Sequence, residues 1–165
     1  MKRFAFCLAV LAWLWPPPEA SALLCTPILG CSCSVSASDM NFGAIQPLAN
    51  TAAAATSDVS VACSGVIDVA PSVSAKIGAG AHGVTGDRKM ISAASNVLHY
   101  NIYSSTLYST ILGDGTGGFP SLTVSGGLIT LGNWSATVHL YGRVPADSTV
   151  PPGDYSDAVI VRIDW

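Results

Sequence analysis

The stretch that most limits how this chain can fold is Tyr155–Trp165, which reads Tyr-Ser-Asp-Ala-Val-Ile-Val-Arg-Ile-Asp-Trp. Val159, Val161, Ile163 and Trp165 fall on one face at a period of two, and Ala158, Arg162 and Asp164 fall on the other, which is the pattern of a half-buried β-strand. Ile160 alone blurs the alternation. The run is about twice the usual strand length and is rich in β-branched residues. A long apolar strand that stands last in the sequence raises the question of what covers its free edge.

The rest of the chain reads in the same way. Cys33–Phe42, Ser57–Cys63, Val69–Ile77, Arg88–Ser92, Leu98–Ser104, Leu122–Leu131 and Ser135–Val144 are predicted strands. Ala52-Ala53-Ala54-Ala55 is expected in a loop, and the glycines at 78, 80, 83 and 86 mark a turn-rich connection. Half of the 165 residues are apolar and only 10% are charged, so a core is within reach. Ser, Thr, Val, Gly and Ala outweigh Leu, Lys and Glu, which favours strands over helices. Seven or eight strands without helical periodicity predict an all-β sandwich in one domain.

The N-terminus reads as a secretory signal over residues 1–22. Lys2 and Arg3 supply the charge, Phe4–Trp15 the apolar run, and Ala20-Ser21-Ala22 the cleavage site. Twelve apolar residues are too few to span a bilayer, and Leu24 is too large to precede a lipidated Cys25. A soluble mature domain over residues 23–165 is therefore expected outside the cytoplasm. Without Lys2, Arg3 and Glu19 it carries five basic and nine acidic side chains, a net charge of −4.

Cys25, Cys31, Cys33 and Cys63 remain in that mature chain, and four cysteines in an oxidising compartment allow three pairings. Cys33 and Cys63 each sit in an alternating segment and are placed to tie two neighbouring strands, which leaves Cys25 with Cys31. A loop of the Cys33–Cys63 size is worth about 3.5 kcal/mol on the chain-entropy model. A metal site built on Cys31-x-Cys33 and a histidine is the competing view, disfavoured because zinc cysteines are usually spaced by two to four residues and come in two pairs.

Little else suggests chemistry. The negative charge argues against a nucleic-acid partner. Gly113–Gly118 is not followed by the lysine and helix of a phosphate loop and holds only Asp114 of a calcium loop, so it is expected to be a hairpin connection. His82, His99 and His139 lie on separate segments, with His139 pointing outward. No Gly-x-Ser-x-Gly turn is present, and the aspartates are scattered through turns. No catalytic residue, cofactor or metal ligand is assigned, and an enzyme is not expected.

Six segments in order resemble the spore coat protein U domain family: Cys33-Ser34-Val35-Ser36 with Asn41-Phe42-Gly43, Val59–Cys63, Leu98–Tyr103, Gly113–Gly117, Tyr141-Gly142-Arg143-Val144-Pro145, and Pro152–Asp157 with the terminal strand. Leu112 stands where members often carry a tryptophan. The family includes subunits of archaic chaperone-usher pili. The resemblance implies an immunoglobulin-like β-sandwich that lacks its last strand and is completed by donor-strand complementation, a known case of β-strand addition.

Val159, Val161, Ile163 and Trp165 would then border the acceptor groove. The implied partners are a periplasmic chaperone, an outer-membrane usher and other pilin subunits, and the implied place is a secreted, adhesive surface fibre. Four or five such side chains left wet would forgo about 6 to 15 kcal/mol. The segment Leu23–Ser32 is interrupted by Pro27 and Gly30 and makes a poor donor, which suggests a tip or minor subunit. A self-contained coat or binding domain of the same fold is the alternative.

Overall fold

A computed structural model describes residues 32–46, 51–68, 72–125, 130–146 and 150–164. Nine strands form among them: β1 (Ser32–Ala37), β2 (Ala53–Asp68), β3 (Ser72–Ile77), β4 (Arg88–Ser92), β5 (Val97–Tyr103), β6 (Leu122–Ser125), β7 (Thr130–Val144), β8 (Tyr155–Ser156) and β9 (Val161–Asp164). A six-stranded sheet has the order β1-β2-β7-β5-β4-β8, and a three-stranded sheet the order β6-β3-β9. Every named pairing is antiparallel. This is the all-β, immunoglobulin-like sandwich that the sequence led us to expect.

The central pair is β2 with β7, in register from Ala53↔Val144 to Cys63↔Trp134 and, after a bulge, to Asp68↔Thr130. Period-two alternation places Val59, Val61, Cys63, Trp134, Val138, Leu140 and Val144 in the interior, all buried. From the opposite sheet β3 contributes Val73, Ala75 and Ile77. One buried cluster gathers Val59, Ala75, Ile77, Met90, Leu98, Tyr100, Ile102, Leu112, Val138, Leu140 and Val144, and a second holds Val61, Cys63, Val73 and Trp134. Leu112 is thus a core side chain.

Several boundaries differ from the sequence reading. The alanine stretch belongs to β2, because Ala53–Ala55 pair with Gly142–Val144 and a small residue suffices beside a partner strand. β1 ends at Ala37, and residues 38–46 carry Met40, Phe42 and Ile45 against the core as irregular chain. Gly142 permits this, since a Cβ there would collide with Met40 Sδ and Phe42 Cζ.

Gly113–Gly118 does turn tightly, with Gly115 N–H donating to Phe119 O (3.0 Å) and Phe119 N–H to Thr116 O (3.0 Å). It does not join a hairpin: β5 and β6, which flank it, lie in different sheets. Of the Leu122–Leu131 prediction, β6 takes the start and Thr130 and Leu131 belong to β7, which begins ahead of Ser135; residues 126–129 lie outside the described residues. The long terminal strand is divided, β8 lying on β4 and β9 on β3.

Candidate strand-acceptor edge

β9 pairs with β3 through Ser74↔Asp164, Ala75↔Ile163, Lys76↔Arg162 and Ile77↔Val161, and Gly78 N–H extends the ladder to Ile160 O at 2.9 Å. Among the described residues no strand lies on the other side of β9. Val159, Val161 and Ile163 point inward and pack on the core, while Ile160, 80% exposed, points out. Ile163 touches both buried clusters.

The three inward side chains are nevertheless only half-buried, whereas Val73, Ala75 and Ile77 one strand away are at most 1% exposed. The difference follows from position, since an edge strand has a neighbour on one side only. Partial packing also corrects the estimate for wholly wet side chains: about 0.5 to 1 kcal/mol remains to be gained at each. Trp165 lies outside the described residues. On the solvent face Lys76 and Asp164 form an ion pair, and Arg162 Nε reaches Asp164 Oδ1 at 3.2 Å. The Lys76 hydrogen bond, with Arg162 nearby, holds the Asp164 carboxyl below its usual range.

Asp157 sits where the terminal run passes from one sheet to the other. Its position is in phase with Tyr155, Val159, Val161 and Ile163, so its carboxylate turns inward, and the side chain is only 2% exposed. A buried carboxylate is costly unless its oxygens find donors. Tyr100 Oη–H donates to Oδ2 at 2.7 Å, Ala81 N–H donates to Oδ1 at 2.9 Å, and His82 Nδ1 lies 3.3 Å from Oδ1. Burial, then the bond to Asp157, pushes the Tyr100 phenol well above its ordinary range.

Arg88, fully buried, donates from Nε and Nη2 to Gly78 O (2.9 and 2.8 Å) and from Nη2 to Leu112 O (2.9 Å). Burial disfavours its charge, which Tyr100 and Asp157 favour. The sequence reading missed Asp157 and Arg88. The available signal was the phase of residue 157, a charged side chain falling on an otherwise apolar inward stripe.

A groove of about 880 Å³ opens nearby, lined by Met40, Phe42 and Ile45, by Val150 and Tyr155, and by Met90 and Leu98 of the large sheet. Val159, Val161 and Ile163 are not among its walls, so the predicted site residues and this groove are separate features. Cys33 and Cys63 are opposite one another in the β1–β2 register and form a disulfide, with Cα atoms 4.1 Å apart. Cys33 is therefore not a thiolate ligand. Cys25 and Cys31 lie outside the described residues.

Each histidine faces an aspartate: His82 meets Asp157, His99 meets Asp87 at 2.5 Å, and His139, directed outward, meets Asp58 at 2.7 Å. Among the described residues no group of three or more His, Cys, Asp or Glu side chains could hold a metal, and no helix is long and apolar enough to cross a membrane.

Ten chains of known structure match this protein. One belongs to the crystal structure of the CsuC–CsuE chaperone-tip adhesion subunit pre-assembly complex from archaic chaperone-usher Csu pili of Acinetobacter baumannii. It aligns at 19% identity with a TM-score of 0.46, over 82% of this chain and 40% of that one. This protein thus spans less than half the length of that chain. No curated protein matches. The family model described as the Spore Coat Protein U domain matches residues 20–162 and takes in every strand from β1 to β8 and the start of β9. The chain belongs to the Spore Coat Protein U domain family.

Proposed function

We propose that this protein is a structural subunit of a chaperone-usher type surface fibre and accepts a β-strand from another protein along the outer edge of β9. Residues 1–22 serve as its export signal, and residues 23–165 form the mature domain. One observation carries the reading: β9 has a strand on one side only among the described residues, and Val159, Val161 and Ile163 remain half-buried beside the buried Val73, Ala75 and Ile77 of β3. Family membership supports it.

An added strand would raise the three-stranded sheet to four. It would complete the cover of those side chains and satisfy the outer backbone groups of β9, at about 0.5 to 1.5 kcal/mol per hydrogen bond. A periplasmic chaperone would fill the place first. A segment of another subunit would replace it at the outer-membrane usher. By sequence phase Trp165 continues the same apolar stripe. Pro27 and Gly30 make Leu23–Ser32 a poor donor, so a tip or minor position follows, and a copy number equal to the main shaft protein in purified fibres would refute that position.

The main test uses a synthetic peptide of about ten residues with alternating apolar side chains, copied from the segment ahead of the first strand of a co-assembling subunit. It should raise the melting temperature of the purified domain. The partial packing of Val159, Val161 and Ile163 on their own core favours a second reading, a self-contained coat or binding domain. Under that reading a saturating amount of the peptide leaves the melting temperature unchanged.

A further inference from the structure

The terminal run keeps its side-chain phase from Tyr155 to Ile163, yet it changes hydrogen-bonding partner on the way. Ser156 and Tyr155 pair with Ile91 and Ser92 of β4, while Val161–Asp164 pair with β3. An uninterrupted strand of this length has no local reason to abandon β4 after two residues. Asp157 is the first residue beyond that pairing and the only charged residue on the inward stripe from 155 to 163.

Its carboxylate is held from two directions. Tyr100 reaches it from β5 of the large sheet, and Ala81 and His82 reach it from the loop that follows β3 of the small sheet. Gly80 in that loop, at φ +90°, leaves the space for it: a Cβ at this position would collide with Asp157 Oδ2. Arg88 fastens the same loop by its bonds to Gly78 O. Gly78 N–H in turn donates to Ile160 O, the last hydrogen bond of the β3–β9 ladder. A continuous set of contacts therefore runs from Tyr100 through Asp157 to the start of β9.

We propose that Asp157, held by Tyr100 and the Gly80–His82 loop, is the positioning residue that transfers the terminal strand from the large sheet to the small one and so sets the β9 edge where an incoming strand can pair with it. The first half of this statement concerns the fold of this chain alone, and the second rests on the strand-acceptor reading above. Asp157 acts through the placement of β9. Its own side chain is 2% exposed and turned into the sandwich.

Hydrogen exchange on the purified mature chain separates positioning from general stability, because local and global opening give different protection patterns. In Asp157→Asn one oxygen acceptor becomes an amide donor facing Tyr100 or Ala81. The amides of Gly78, Arg162 and Asp164, which face the partner strand in the β3–β9 ladder, should exchange at least about tenfold faster, the size expected for losing a hydrogen bond to a charged group. The amides of the β2–β7 pair should keep their protection. Tyr100→Phe should give the same local pattern, and the double variant should be no worse than the more affected single one, as for residues in one network.

A uniform loss across β2, β7 and β9 overturns the proposal, as does unchanged exchange at Arg162 and Asp164. If Asp157→Asn does not fold, Tyr100→Phe, which keeps the buried ring, decides between the same outcomes. The peptide used above supplies a second readout. If it binds wild type and Asp157→Asn alike, with unchanged exchange, the positioning role fails and the acceptor reading stands. If the variants loosen β9 but the peptide never binds wild type, the acceptor reading fails and the sheet transfer by Asp157 stands.

Discussion

β3 and β9 are neighbours in one sheet, made of the same kinds of residue in the same alternation, and they have different fates. Val73, Ala75 and Ile77 of β3, with β6 on one side and β9 on the other, are sealed. Val161 and Ile163 of β9, paired on one side among the described residues, are half-buried. Apolar pattern selects the face that a side chain turns to. The number of neighbouring strands decides how far that face is closed. An edge in a β-sandwich can therefore be found where a core-like pattern fails to reach core-like burial.

The largest effect that would sharpen the comparison comes from truncating one side chain on each strand. Ile77→Ala should cost about 2 to 5 kcal/mol, as for a fully buried isoleucine, and Ile163→Ala only about 1 to 2 kcal/mol, both read from denaturant unfolding of the isolated domain. The gap should narrow once a strand peptide is bound, because Ile163 is then covered. Equal costs in the free domain would remove the distinction between centre and edge.

A smaller effect lies at the crossing between the sheets. Tyr100 titrates well above the usual 10.0 of a phenol, because of burial first and then its bond to Asp157. A group whose folded pKa is raised lends its full stabilisation below the unfolded pKa and loses it as pH rises towards the folded value. Stability should therefore decline above about pH 10, and Tyr100→Phe should flatten that part of the curve. An unchanged alkaline limb in the variant would show that the crossing is held by other groups.

The smallest effect belongs to the solvent face of the edge. Asp164 lies below its usual 3.8, chiefly through its hydrogen bond from Lys76. A depressed carboxylate stabilises the fold above its unfolded pKa, and that contribution is lost as pH falls through the folded value. Melting temperatures followed below about pH 4 should fall a little less steeply in Lys76→Met than in wild type. If the two acid limbs coincide, the ion pair contributes nothing to the edge.

Much of the sandwich was legible in the residues. Arg88–Ser92 was predicted with the bounds it has, Leu98–Ser104 was placed within a residue of β5, and the inward stripe of Val159, Val161 and Ile163 was assigned correctly. The Cys33–Cys63 tie followed from two alternating segments and is present. Ala52–Ala55 was not legible as strand. Alanine carries no β signal of its own, and Ala53–Ala55 are extended because β7 lies beside them. Asp157 looked like one more turn aspartate because its donors come from Tyr100, 57 positions earlier, and from Ala81, 76 earlier.

What the sequence determined alone is therefore periodic and covalent: which side chains share a face, which segments are extended, and which cysteines could meet. Those properties are local, since the pleat repeats every two residues wherever the strand ends up. Only the tertiary structure decided that the terminal run is shared between two sheets and that β9 has one neighbour among the described residues. Both facts depend on pairings such as Ala75↔Ile163 between segments far apart in the chain, which no local pattern encodes.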